Sequence, residues 1–430
     1  MDRKRVALPP LASRLSVIMQ TNLAAFIKDT AEGKEADAIL RKCTHCGMCT
    51  ATCPTYQLLS DELDGPRGRI YLIKQVLEGA TPTAKTQLHL DRCLTCRACE
   101  TTCPTGVQYG RLVDIGRHLV EGRVPRGPIQ SAWRRALNSV ISNPALFAPL
   151  LKVGRLARPF LPAAVKSKVP APPTPAGAWP AANRARTMLV LDGCVQPALS
   201  PATNAATARV LDRLGITLVR EPAAGCCGGV SFHLNRQEAA LDTMRRLIDA
   251  WWPHVEQGAE AIVITASGCG VTVKEYGHLL RHDPAYAAKA QRVSELTKDI
   301  SEVISAEGPR LREARGERRE AEKPRVAFHS PCSLQHGLKL NGKVESVLTE
   351  LGFELVAVPD AHLCCGSAGT YSILQPELSR RLRDNKITAL TGGAPSAILT
   401  ANIGCQAHLQ GATKLPVRHW IEAVDDLTTP

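Results

Sequence analysis

Residues 43–54 read CTHCGMCTATCP, and fifty residues later positions 93–104 read CLTCRACETTCP. Each stretch places four cysteines at the same intervals and then a proline. The 430-residue chain holds sixteen cysteines: eight in this pair, four between 194 and 269, and four between 332 and 405. A random scatter of buried thiols would leave strays, so these thiols point to chemistry rather than packing. Between the two stretches, GPRGRIYLIKQVLEG (65–79) predicts a helix that begins near Pro66, sets Ile70, Ile73 and Leu77 on one face and stops at Gly79. Beyond the second stretch, YGRLVDIGRHLVEG (109–122) repeats the pattern. The opening block therefore reads as cysteine loops packed against short helices.

C-x2-C-x2-C-x3-C-P is the spacing of a ferredoxin that carries two iron–sulfur clusters. Three cysteines at steps of three wrap one cube of iron and sulfide, each thiolate reaching a different iron. The fourth cannot comfortably reach the same cube and ligates the other, which explains why the motif occurs twice. The spacing assigns Cys43, Cys46, Cys49 and Cys103 to one [4Fe–4S] cluster, and Cys93, Cys96, Cys99 and Cys53 to the second. Pro54 and Pro104 turn the chain away after the fourth ligand. Gly47 lets backbone amides approach sulfur, and His45 is read as covering a cluster rather than ligating it. Zinc is the chief alternative, because C-x2-C pairs also build zinc loops. Tetrahedral zinc wants two pairs, however, and each stretch offers a triplet plus a detached Cys-Pro.

The C-terminal half is an internal repeat. MLVLDGC (188–194) answers VAFHSPC (326–332), LGITLVREPAAGCCGG (214–229) answers LGFELVAVPDAHLCCG (351–366), and AIVITASGCG (261–270) answers AILTANIGCQ (397–406). Both Cys194 to Cys226 and Cys332 to Cys364 span 32 positions. The final cysteine follows after 42 positions in one unit (Cys227 to Cys269) and 40 in the other (Cys365 to Cys405). Short β-rich runs alternating with helices predict a small α/β unit with a parallel sheet, three strands each followed by a cysteine loop. Loops leaving the carboxyl ends of such strands gather at one edge, so all four cysteines of a unit should converge there. Vicinal cysteines do not easily close a relaxed disulfide. With Gly228 or Gly366 following, they look like backbone folded around an inorganic centre, buried small hydrophobes being the alternative.

The 44% hydrophobic content is that of a globular chain, and no apolar run reaches the roughly 20 residues of a membrane helix. The basic N-terminus, interrupted by Pro9 and Pro10, is not expected to act as a secretory signal. A cytoplasmic location is expected, where cysteines serve metals or redox work rather than disulfides. The net charge of +13 lies largely between the blocks and lacks interleaved aromatics. It favours docking to an acidic partner or an anionic membrane surface over nucleic acid. No G-x-G-x-x-G follows a strand and there is no P-loop, so nucleotide and flavin sites find no support.

These residues make the chain resemble the iron–sulfur subunits of bacterial glycolate oxidases (glycolate dehydrogenases), from about Met19 to the C-terminus. The resemblance is carried by CTHCGMCTATCPTYQLLSDELDGPRGRIYLIKQVLEG, HLDRCLTCRACETTCPTGVQYGRLVDIGR, LSPATNAATARVLDRLGI, ASGCGVTVKEYG, HLCCGSAGTY and TANIGCQAHL. The first two are highly specific. The Cys-Cys-Gly units mark a wider superfamily that includes subunits of heterodisulfide reductase, anaerobic glycerol-3-phosphate dehydrogenase and lactate-utilisation systems. The resemblance implies FAD-binding partner subunits in a heterotrimer-like complex that oxidise glycolate to glyoxylate, with D-lactate the alternative substrate. This chain would pass the electrons toward a quinone or another respiratory acceptor, peripherally at the cytoplasmic face of the inner membrane. The heterodisulfide reductase relatives end each unit in C-x2-C; here Thr272 and His408 stand three positions after Cys269 and Cys405. The fifth ligand is thus missing, or in the second unit replaced by His408, which puts disulfide-cleaving chemistry in doubt and favours electron transfer.

The expected fold is mixed α and α/β: a helical two-cluster ferredoxin-like N-terminal domain followed by two tandem Rossmann-like α/β Cys-Cys-Gly repeats. Expected boundaries are an N-terminal extension (1–18), the cluster domain (19–140), a Pro-rich linker (141–186), the first unit (187–305), a charged connector (306–324) and the second unit (325–426). Candidate further metal ligands are Cys194, Cys226, Cys227, Cys269, Cys332, Cys364, Cys365, Cys405 and His408. No substrate chemistry is expected in this chain alone.

Overall fold

The computed structural model describes residues 19–160, 169–315 and 323–428. The expected N-terminal extension and parts of the linker and connector lie outside them. The chain divides into two compact units, residues 1–126 and 127–430.

In the first unit, helices Ala31–Leu40, Pro66–Leu77, Ala84–Asp91 and Tyr109–Arg123 surround the cysteine loops. Each start has a local cause. The Thr30 hydroxyl accepts from the Gly33 amide, Pro66 opens the second helix, and Thr83 and Thr86 form a reciprocal cap. Ile70, Ile73 and Leu77 are buried with Leu112 and Val113 in one core. A Cβ on Gly116 would lie 2.6 Å from the Ile73 side chain, so glycine is what lets those helices close.

In the second unit, β1 (Arg186–Val190), β2 (Ile216–Arg220), β3 (Ile262–Ile264) and β4 (Thr297–Asp299) form one sheet in the order β2-β1-β3-β4. The repeat builds β5 (Arg325–His329), β6 (Glu354–Leu355), β7 (Ala397–Thr400) and β8 (Val417–His419) in the order β6-β5-β7-β8. All pairings are parallel. The chain reverses direction across the sheet between β1 and β3, and between β5 and β7, so a crevice opens at their carboxyl ends. One hydrophobic core runs under both sheets, from Val190 and Ile216 to Phe328, Leu399 and Trp420.

Two features depart from the sequence reading. Each sheet has a fourth strand, β4 or β8, only three residues long and carrying Lys298 or Arg418 at its centre. The stretch expected as linker from 141 begins instead with helix Pro144–Ala157, which contains Pro149. That helix follows Pro128–Ile141, placed here in the second unit rather than in the cluster domain. Pro144 sits in the first turn, where its missing N–H costs nothing, and the helix tolerates Pro149 one turn later. Among the described residues of that stretch, 169–185 form neither helix nor strand. The connector's described part is a helix, Gly308–Arg315, that buries Leu311.

Candidate metal centres

The two N-terminal loops are built alike. Cys43 follows helix Ala31–Leu40 and Cys93 follows helix Ala84–Asp91. Two residues on, the chain turns left-handed, at His45 (φ 56°) and Thr95 (φ 52°), and again at Gly47 (φ 84°) and Arg97 (φ 61°). The first turn aims an amide back at sulfur: His45 N–H donates to Cys43 Sγ and Thr95 N–H to Cys93 Sγ, both at 3.4 Å. Each fourth cysteine meets a hydroxyl two residues later, Cys53 with Thr55 at 3.3 Å and Cys103 with Thr105 at 3.4 Å. His45 packs edge-on against Tyr71 and lines the first hollow.

The structure brings Cys43, Cys46, Cys49 and Cys103 around one hollow, which Cys99 also touches. Cys53, Cys93, Cys96 and Cys99 surround a second. Sequence neighbours thus part company. Cys53 leaves its own loop for the other hollow, and so does Cys103.

Burial and the neighbouring Cys43 push the Cys49 thiol up to about 11. Burial and Cys96 push Cys99 up. Burial opposes Cys103 as well, but the Thr105 hydroxyl and nearby amides outweigh it and hold that thiol below its usual value. Arg69, 1% exposed, lines the second hollow. Burial works against its charge, yet Cys93, Tyr109, Cys53 and Asp64 more than compensate. Asp64 is fully buried and faces Arg69 at 3.4 Å, Arg92 at 2.8 Å and His89 Nδ1 at 3.1 Å. Arg117 ties down the second loop through the carbonyls of Leu90 and Cys93 and the Thr95 hydroxyl. Tyr109 Oη points at Cys93 Sγ, 3.7 Å away.

The donor set fits a cube of iron and sulfide better than one ion. Four thiolates around a tetrahedral zinc lie about 3.8 Å apart, from a Zn–S bond near 2.3 Å. The three-donor groups within 4.8 Å among the described residues are His329–Cys365–Cys405 and Asp61–Asp64–His89. Neither uses these eight thiols. Their wide spacing suits a centre in which each sulfur meets a different iron.

The Cys-Cys-Gly loops reuse the same device. Gly228 N–H donates to Cys226 Sγ and Gly366 N–H to Cys364 Sγ, both at 3.4 Å, with the glycines at φ 83° and 86°. In the first repeat, Cys194, Cys226, Cys227 and Cys269 form a chain of thiol contacts at the ends of β1, β2 and β3. Hydrogen bonds from Cys194 and Cys227, with a further one from Ser142, hold Cys226 well below the usual thiol range. In the second, Cys332 lies 3.7 Å from Cys364, and Cys365 contacts both Cys364 and Cys405. All sixteen cysteines are free of disulfides.

His408, expected as a substitute ligand, directs Nε2 to the Ser379 hydroxyl at 3.2 Å. The imidazole grouped with Cys365 and Cys405 is that of His329, the last residue of β5, which the sequence reading passed over. Its signal was available: the repeat aligns His329 with Leu191.

Comparison with known proteins agrees with this geometry. A 4Fe-4S dicluster domain family matches residues 39–107, and a cysteine-rich domain family matches residues 188–274 and 326–410. The chain is 58% identical to the glycolate oxidase iron–sulfur subunit of Escherichia coli (strain K12) over 95% of its length and 98% of that protein's. It is 29% identical to a probable glycolate oxidase iron–sulfur subunit of Bacillus subtilis (strain 168), over 85% of this chain and 87% of that one. A lactate utilization protein A of Anoxybacillus flavithermus is 30% identical over 48% of this chain and 83% of its own.

Proposed function

This chain belongs to the glycolate oxidase iron–sulfur subunit family, and from that premise we propose that it carries electrons from a partner FAD subunit oxidising glycolate toward a quinone. D-lactate is the alternative 2-hydroxy acid. The carrying observation is the exchange of Cys53 and Cys103 between two thiol-lined hollows. Two [4Fe–4S] clusters, when bound, supply one-electron sites for a flavin that must release its electron pair singly. Cys43, Cys46, Cys49 and Cys103 hold one; Cys93, Cys96, Cys99 and Cys53 hold the other. The amides of His45 and Thr95 stabilise charge on sulfur, as do the hydroxyls of Thr55, Thr105 and Tyr109. Arg69 offsets thiolate charge at the second site, while Ile70 and Leu94 help to keep water out.

Among the described residues no helix is long and apolar enough to cross a membrane. Peripheral attachment at the cytoplasmic face of the inner membrane is supported by helices Pro128–Ile141 and Pro144–Ala157 with the turn that follows. Ile129, Leu150, Val153, Leu156 and Phe160 are exposed there, Ile129 and Phe160 to 86% and 89%. Residues 128–160 include Arg134, Arg135 and Lys152 and no acidic residue. That combination suits an anionic lipid surface.

The test uses the assembled complex. Cys96→Ser should abolish quinone reduction while the flavin subunit still reduces an artificial dye; quinone reduction that survives would show the relay to be misplaced. Binding to anionic vesicles should fall in Leu156→Asp. Wild-type complex that ignores such vesicles would reject the membrane part alone.

A further inference from the structure

The two Cys-Cys-Gly units share a backbone plan but differ in what faces their thiols. In the first repeat the position after the β1 core is Leu191, 3% exposed, and no three of its four sulfurs fall within 4.8 Å among the described residues. In the second, that position is His329, 2% exposed. Its Nδ1 meets the Thr400 hydroxyl at 3.0 Å, which fixes the ring. Its Nε2 has no hydrogen-bond partner among the described residues. A buried, unpaired ring nitrogen leaves a polar group unsatisfied, which destabilises the unligated site. One nitrogen and the Cys365 and Cys405 sulfurs lie within 4.8 Å of one another.

We propose that the second Cys-Cys-Gly unit binds a single divalent zinc-type ion through His329 Nε2, Cys365 Sγ and Cys405 Sγ. Three donors that close meet at one metal, where mixed nitrogen and sulfur ligands are typical of zinc. A cube would instead spread its thiolates. Cys364 contacts Cys365 but stands outside that three-donor group, so it must move closer to supply the fourth donor. Thr400 plays the outer-sphere part usual for a ligating histidine, holding the other ring nitrogen. Lys386 is buried close by, its Nζ donating to the Asp360 carbonyl at 2.7 Å. In the first repeat a leucine closes the corresponding corner, so the two units differ in their metal chemistry.

The site is separate from the N-terminal clusters, so its failure leaves the electron relay standing. The full-length chain, purified anaerobically and supplied with Zn2+, is analysed for zinc and iron and by X-ray absorption at the zinc edge, which is blind to iron clusters. Wild type should retain about one zinc per chain in a mixed sulfur–nitrogen shell. His329→Leu should lose it at least tenfold more readily to a chelator, and His329→Cys should restore it with sulfur alone. His408→Leu should match wild type. An unchanged circular-dichroism melting profile in each variant verifies folding of the second unit. Zinc at background in wild type, a shell without nitrogen, or full retention by folded His329→Leu overturns the site.

Discussion

Replacing Cys103 by serine discriminates between the sequence neighbourhood and the spatial one. By sequence, Cys103 belongs with Cys93, Cys96 and Cys99; in space it completes the hollow lined by Cys43, Cys46 and Cys49. Two [4Fe–4S] clusters contain about eight iron atoms per chain, and losing one leaves about four. The structure therefore predicts that Cys103→Ser and Cys46→Ser each fall to about four. Their combination should stay near four, because both remove the same cluster, whereas pairing Cys103→Ser with Cys96→Ser should approach zero. That pattern of non-additivity is what a shared site produces. Iron and acid-labile sulfide assays give the totals, and EPR of the dithionite-reduced chain shows which signal remains. The cross-over is refuted if the Cys103–Cys96 double variant keeps half its iron while the Cys103–Cys46 pair loses all of it.

Two further outcomes follow from buried groups. Asp299 caps helix Ile300–Ala306 with one carboxylate oxygen and buries the other without a partner among the described residues; burial raises its carboxyl to about 6. A raised folded-state value favours the protonated form. The stability it gives is complete below pH ~4 and is lost as pH climbs through 6, about 3 kcal/mol for a two-unit shift. Asp299→Asn should therefore raise Tm at pH 8 and flatten its decline between pH 4 and 7; a lower Tm at pH 8 contradicts this. Gly366→Ala meets both a left-handed φ of 86° and the Ser379 carbonyl, 2.7 Å from the new Cβ. It should cost at least 1–2 kcal/mol in denaturant unfolding, and an unchanged midpoint contradicts the strained loop.

Much of this architecture was written in spacing. The cysteine register announced two hollows with Cys53 and Cys103 exchanged between them, because a thiolate's reach is short. The duplicated strand–Cys pattern announced parallel sheets with thiols at one edge, and β1, β2 and β3 deliver it. What escaped is instructive. Strands β4 and β8 are three residues with a cation in the middle, too short and too polar to carry a period of two. Pro144 and Pro149 read as helix breakers because sequence alone does not say which turn of a helix a proline occupies. His329 hid inside an apolar strand, and only its pairing with Leu191 across the repeat marks it as out of place.

If the N-terminal thiols hold iron–sulfur cubes, this chain conducts electrons rather than reacting with substrate. Anaerobic stopped-flow spectroscopy of the isolated chain, mixed with glycolate alone and then with glycolate plus its flavin partner, tests it most directly. The isolated chain should be brown, with visible absorption that bleaches only in the second mixture and two reducible clusters in its EPR. Zinc in place of iron at these thiols, or glycolate turnover by this chain without a companion, would contradict it.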